Sequence, residues 1–449
     1  MKKTVWSKLG WVSFLLIFLS ACGSGVETAG NNPLPTTNPS ANTPNNNPSS
    51  SPPAPKLGQV TTQAFNIGGN FPADIDIVDQ PDLKNVLFIT SFSPAAVLAV
   101  DLNTNPLQLS ATVKGLPSLP SGSGLPSALT VVDSTHAFLL TSSALIYFNP
   151  TTSNVYQTAD LTTAINLTSP LNQVNPDGSS AGTVSGSFTP TFPASVAVSG
   201  SRVAVTFSNL QFTGFSLTSA VQGIVRFFDV QGTTLSVPST VYAATSGYNT
   251  SGLTALPNGN LLVTNTGITQ FTPDFSNQEP VTPGSVDLLN PLNGQVVSTL
   301  DLGLSAPAFR SWALSPDGKN AFLGSASGGY VLEIGLSPLS LIHGVSNPIV
   351  VTNAANGTDF IDDVVMGRQG GGIYPMSFNH NSVFAVDLTG ATPVLLSNSV
   401  DLSFPGNPGT VSGAGPAVLR PGTPGVDFNG PDLFVLTGNP GTLAAIVTY

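Results

Sequence analysis

One phrase organises this chain: an apolar run that mostly closes on a small or hydroxyl residue. It occurs as LFIT at Thr90, FLLT at Thr141, VAVT at Thr206, LLVT at Thr264, AFLG at Gly324, IYPM at Met376 and FVLT at Thr437. The seven copies are 51, 65, 58, 60, 52 and 61 residues apart. A unit repeated at such spacing cannot bury its apolar face alone and must stack on its neighbours. Each copy has a strand-like run before it (ADIDIV, SALTVV, ASVAVS, GLTALP, SWALSP, DDVVMG, PAVLRP) and one or two after it. These runs are short and bounded by Gly, Pro, Asn and Ser, the pattern of strands and turns. The 45 Gly and 39 Pro supply the turns, while 41% hydrophobic residues leave enough for a core. The chain is therefore read as all-β.

The last copy stops at Tyr449 with only three strands, whereas Gln59 to Gly68 resembles the fourth strand of the other copies. The fold class this predicts is a seven-bladed β-propeller over residues 57–449, with the N-terminal strand closing the last blade and removing the open edge. The turns Leu314-Ser315-Pro316-Asp317-Gly318-Lys319 and Leu256-Pro257-Asn258-Gly259-Asn260 resemble those of YVTN-type and related WD-repeat-like bacterial propellers. The resemblance implies architecture and not activity, because propellers host many functions.

Residues 1–21 read as an export signal: Lys2, Lys3 and Lys8 precede an apolar stretch from Leu9 to Leu19 that is shorter than a membrane span. Its end, Leu19-Ser20-Ala21-Cys22, resembles the lipobox of bacterial lipoproteins. That resemblance implies acylation of Cys22, cleavage after Ala21 and, with Gly23 rather than Asp next, outer-membrane sorting in the bacterial cell envelope. Several acyl chains hold a protein on a membrane where one would not. Residues 22–56 are dense in Pro, Asn, Ser and Thr and read as a disordered tether, with a reach between roughly 30 Å as a coil and roughly 100 Å as a polyproline rod.

Charge and cysteine content exclude several classes. A formal charge of −11 with scattered Lys and Arg argues against nucleic acid. Cys22 is the only cysteine, which excludes an internal disulfide, a thiolate metal cluster and C-x-x-C-H haem attachment. Gly178-Ser179-Ser180-Ala181-Gly182 satisfies G-x-S-x-G, but lies in a loop rather than on a strand-to-helix elbow. His136, His343 and His380 lack metal-ligand spacing and read as surface or turn residues. Asp101, Asn149, Asp229, Asn290 and Asp387 recur after the third strand, where Asx side chains cap tight turns.

Two groups of residues remain as candidates. Asp74, Asp362 and Asp363, with Arg310 near them in the pattern, fall near the starts of first strands and so at one mouth of a central channel. Ca²⁺, which takes six to eight oxygens, is the cofactor such carboxylates would hold, in the manner of gluconolactonase-type propellers. The second group comes from uneven loops. From second-strand anchor to turn Asx takes 11, 8 and 11 residues in copies one, two and six, but 23 in copy three and 26 in copy four. With a further insertion at 160–192, these long loops fall on one face and carry Phe212, Phe215, Phe271 and Phe275, candidates for an aromatic binding surface. The expected function is a membrane-anchored binding or assembly module for an envelope protein or glycan. The alternative is a lactonase- or hydrolase-type enzyme using the acidic channel mouth.

Overall fold

A computed structural model describes residues 52–58, 65–67, 72–92, 95–214, 216–271, 278–308, 312–352, 359–402, 412–439 and 441–448. Every regular element among them is a strand. Among the described residues, six of the sheets with four or more strands are each drawn from one stretch of chain, another such sheet joins the two ends, and Ile165–Asn166 with Ser187–Phe188 and Thr269–Phe271 with Gln278–Pro280 form two small hairpin sheets.

The first sheet runs Pro72–Asp76, Val86–Phe92, Ala95–Asp101 and Gln108–Leu109, and the second Pro126–Val131, Ala137–Thr141, Ala144–Asn149 and Asn154–Asp160. The third is built on Pro193–Ser199, Arg202–Phe207 and a long strand, Ser216–Gln231, which also pairs with Tyr242–Tyr248. The fourth runs Thr250–Ala255, Leu261–Asn265, Gly284–Asn290 and Gln295–Gly303. The fifth runs Ala313–Leu314, Asn320–Gly324, Tyr330–Leu336 and Leu339–His343, and the sixth starts from Ile361–Met366 and Gly372–Ser377. In the last sheet Ser412–Leu419, Leu433–Asn439 and Thr442–Ile446 are completed by Phe65–Asn66, which pairs antiparallel through Phe65 with Leu443 and Asn66 with Thr442.

Apolar clusters lie between successive sheets and not within them. Phe88 and Val97 of the first sheet pack with Leu129 and Phe148 of the second. Tyr147 and Leu145 of the second pack with Val205 and Phe207 of the third. The series returns to its start, because Phe434, Leu436 and Leu443 of the last sheet pack with Ile75 and Ile89 of the first. Such a closed ring of face-packed sheets is a β-propeller.

The recurring threonines of the strand phrase have a structural use. Thr141 takes the amide of Ala144 at 2.9 Å and so fastens the turn to the third strand, while Thr206 donates to the Ser251 carbonyl of the next sheet at 3.0 Å. Asx caps after the third strand occur at Asp101, Asn149, Asn290 and Asp387, each accepting the amide two residues on. Asp229 departs from that expectation. Its carboxylate pairs with Arg202 at 2.8 Å, and Arg202 also donates to the Pro291 carbonyl, linking third and fourth sheets.

The folded region starts earlier than the expected boundary at residue 57. Pro52 to Gly58 lie along the sixth and last sheets: Tyr374 donates to the Lys56 carbonyl, Leu57 is buried, and Gly58 donates to the Val447 carbonyl at 2.6 Å. A side chain on Gly372 would meet Pro55 at 2.2 Å, so glycine there makes room for the passing chain.

Candidate functional site

The described parts of the long loops expected from the sequence come together on one face, that of the second-to-third and fourth-to-first connections. Leu210–Thr213 pairs with the first half of Ser216–Gln231, which also pairs with Leu171–Val174, itself paired with Ser180–Val184. The result is an accessory sheet grown from the third strand of the third sheet. The loop of the fourth sheet joins it: Thr269–Phe271 pairs with Gln278–Pro280, and Gln270 donates to the Pro176 carbonyl at 2.9 Å. These segments share a small core of Val174, Leu210, Ala220 and Ile268, with Phe192, Phe212, Leu217, Tyr248 and Val281 packed around it.

Of the four candidate aromatics, Phe212 is half-buried at the edge of that core, its ring edge-on to Phe192 at 5.6 Å. Its packing accounts for much of its surface, so Phe212 serves the accessory core as well as any partner. Phe271 lies on the Thr269–Phe271 strand; Phe215 and Phe275 fall outside the described residues, as does Cys22. A directed row of polar groups, missed from the sequence, crosses the accessory sheet: Gln173 donates to Ser219 at 2.9 Å, and Ser219 donates to Gln211 at 2.9 Å. Gly178 sits at φ 80° at the tip of the 174–180 hairpin, and Ser180 opens a strand rather than a helix, so the G-x-S-x-G match is no nucleophile elbow.

A polar network is centred on the buried Asp287 and Asn265. Asp287 accepts from the Ser246 amide at 2.7 Å, Asn265 Nδ2 at 2.9 Å and Thr299 at 2.7 Å. Gly223 and Gly247 leave it room, since a Cβ on either would collide with Thr250 or Asn265. This network joins the third sheet to the fourth.

The carboxylates near first strands are fully buried and hold neighbouring sheets together. Asp74 accepts the Leu129 amide at 2.7 Å and Asp76 the Val131 amide at 2.7 Å. Two residues apart on one strand, they meet amides two residues apart on the inward edge of the next sheet. Asp363 repeats the device on the Ala417 amide at 2.9 Å. Asp362 is buried beside it, and Arg310 lies outside the described residues. Burial is the main cause that pushes Asp76 well above the ordinary carboxylate value, with the Asp74 charge adding to it against the Val131 hydrogen bond. A calcium ion at Asp74 and Asp363 would have to compete with these amides. Among the described residues no group of three or more His, Cys, Asp or Glu is placed to hold a metal.

Each histidine meets a carboxylate: His136 with Asp133 at 2.8 Å, His343 with Glu333 at 2.6 Å and His380 with Asp359 at 2.9 Å. The last pair includes Ser377, whose hydroxyl donates to Asp359 at 2.7 Å. This Ser, His, Asp group was not legible in the sequence, where its members are 3 and 18 residues apart in different connections. Its geometry differs from that of a nucleophilic triad. Ser377 is buried, spends its proton on the carboxylate and faces the same Nδ1 that Asp359 occupies.

No family model and no curated protein sequence matches this chain. Solved structures do match in three dimensions. The β-propeller domain of Cps50 (Swd1) from Myceliophteria thermophila aligns with a TM-score of 0.51 at 9% identity, covering 81% of this chain and 93% of that one. Hydrazine synthase from Kuenenia stuttgartiensis aligns with a TM-score of 0.53 at 15% identity, covering 87% of this chain and 99% of that one. At such identities the likeness concerns architecture alone, and it agrees with the ring of sheets: the chain has an all-β, β-propeller fold.

Proposed function

We propose that this protein is a bacterial envelope lipoprotein, anchored through Cys22 to the outer membrane, whose propeller serves as a binding or assembly module for a protein or glycan. In this reading each sheet of four or more strands is one blade, seven with the sheet that joins the chain ends. The observation that carries the binding role is the accessory sheet. Insertions from two connections extend one sheet and a third adds a hairpin beside it, all sharing one core, although the first and second sheets close without anything comparable. Ordering a loop costs about 1–2 kcal/mol per residue in backbone entropy. The ring does not need that ordering, whereas a preformed recognition surface does.

The test is capture from envelope extracts by residues 52–449, compared with a variant carrying Gln173→Ala, Gln211→Ala and Phe212→Ala. Loss of a captured partner with the main melting transition preserved supports recognition by the accessory sheet. Equal capture by both proteins would move the binding surface elsewhere.

A further inference from the structure

The two faces of the ring differ in which charges they carry and in where the tether joins: one is mixed, exposing Asp79, Asp82, Asp317 and Asp427 beside cations of which Lys84 and Lys319 pair with Asp427 and Asp317, while the other is acidic throughout. Nine of the chain's 12 Lys and Arg lie from Lys56 onward. Lys84, Arg202, Lys319, Arg368 and Arg420 fall at first-to-second-strand turns, or at the strand ends beside them. Lys114 donates its amide to the Thr151 carbonyl of a third-to-fourth turn, on that same face. Lys56 is there too, its carbonyl held by Tyr374 near Thr448. Arg226 is buried within its strand, and Arg310 lies outside the described residues.

The opposite face, which bears the accessory sheet, exposes Asp160, Asp177, Glu279, Asp301 and Asp401 and no Lys or Arg among the described residues. Hydrogen bonds from Thr162 and Ser179 hold Asp160 and Asp177 below the usual carboxylate range, so both stay charged. The tether joins the other face. Pro53 passes against Gly371, in the turn between Ile361–Met366 and Gly372–Ser377, before the chain reaches Val447.

We propose that the anchored domain stands with its turn face, the face of the tether and the cations, toward the membrane surface, and presents the accessory sheet outward. This rests on the lipid-anchor reading. The tether leaves from the turn face, which puts that face closest along the chain to the anchor, and an acid-only face is repelled by anionic headgroups within a Debye length, about 8–10 Å at physiological salt. A partner of the accessory sheet therefore approaches from the side away from the membrane.

Because acylation consumes the chain's only cysteine thiol, introduced cysteines can be labelled selectively. Full-length protein purified from its membrane carries Ala181→Cys on the accessory hairpin or Ser201→Cys on the turn face, both exposed and both on the third sheet. Each is labelled with a fluorescent donor and placed in vesicles bearing acceptor-labelled headgroups. Seven-residue Pro193–Ser199 alone separates the faces by about 20 Å. Energy transfer roughly twofold stronger from Ser201→Cys is expected. Equal transfer, or stronger transfer from Ala181→Cys, overturns the orientation while leaving the anchor intact. Labelling of the parent protein at Cys22, or failure to float with vesicles, instead overturns the anchor and the orientation built on it.

Discussion

In the second sheet Ala137–Thr141 turns into Ala144–Asn149 through Ser142 and Ser143 alone, whereas in the third the same turn opens into Leu210–Thr213 and a 16-residue strand, Ser216–Gln231. The halves of that strand do different work. Residues 224–229 pair with Arg202–Phe207 as any third strand does, while residues 216–221 leave the ring and template the accessory sheet. Continuity of one strand gives the addition a rigid base without a hinge. Two kinds of core result: one between sheets, which defines the ring, and one of Val174, Leu210, Ala220 and Ile268, which defines only the addition.

That distinction is broken most directly by truncating a buried leucine in each core. Leu140 is fully buried between the second and third sheets, and Leu140→Ala should cost about 2–5 kcal/mol and lower the main melting transition. Leu210 is equally well buried, and Leu210→Ala should cost a comparable amount locally. Its loss should appear as faster amide exchange over 210–221 with the main transition nearly unmoved. If Leu210→Ala lowers that transition as far as Leu140→Ala does, the accessory core is part of the ring's cooperative unit and the comparison fails.

A subtler contrast sets the buried carboxylates of the ring against the exposed ones of the accessory face. Asp76 is raised above its ordinary value of 3.8 by burial, so the folded state favours its protonated form. Stability from this group is fully present below the unfolded pKa and is lost as pH rises through the folded one. Asp76→Asn keeps an acceptor for the Val131 amide and removes the titration. The wild type should therefore lose stability relative to the variant as pH rises above about 4, with the smallest difference below it. Parallel melting curves across that range would show that Asp76 ionises in the fold without cost.

Much of the ring was legible because its signals are local and repeated. All the strand phrases anchored at Thr90, Thr141, Thr206, Thr264, Gly324, Met376 and Thr437 lie in second strands, and the N-terminal strand pairs where the truncated last copy required it. The clustering of long loops on one face also followed from connection parity. What the loops build did not follow, since the pairing of Leu171–Val174 with residues 220–221 spans nearly fifty residues with no repeat to align them. The partners of the carboxylates were hidden for a related reason. Spacing placed Asp74 and Asp363 near first strands correctly, but only the register between sheets shows that their partners are the Leu129 and Ala417 amides. The docking of Pro52 to Gly58 was hidden by composition, because a Pro-rich run reads as tether whether or not glycines at 371 and 372 leave it a track.

Phe212 gives the finest division between the two regions, because it is half-buried and could serve either core or partner. Its edge-on contact with Phe192 at 5.6 Å is of a kind that contributes about 0.5–1.5 kcal/mol beyond area burial. Phe212→Ala should therefore loosen the accessory sheet slightly, while Phe212→Leu keeps apolar volume and loses the aromatic face. If the ring is a recognition group, both variants weaken partner capture, and the leucine variant retains wild-type amide exchange in Leu210–Thr213. Capture restored by leucine but not by alanine would assign Phe212 to packing alone, leaving recognition to the polar row of Gln173, Ser219 and Gln211.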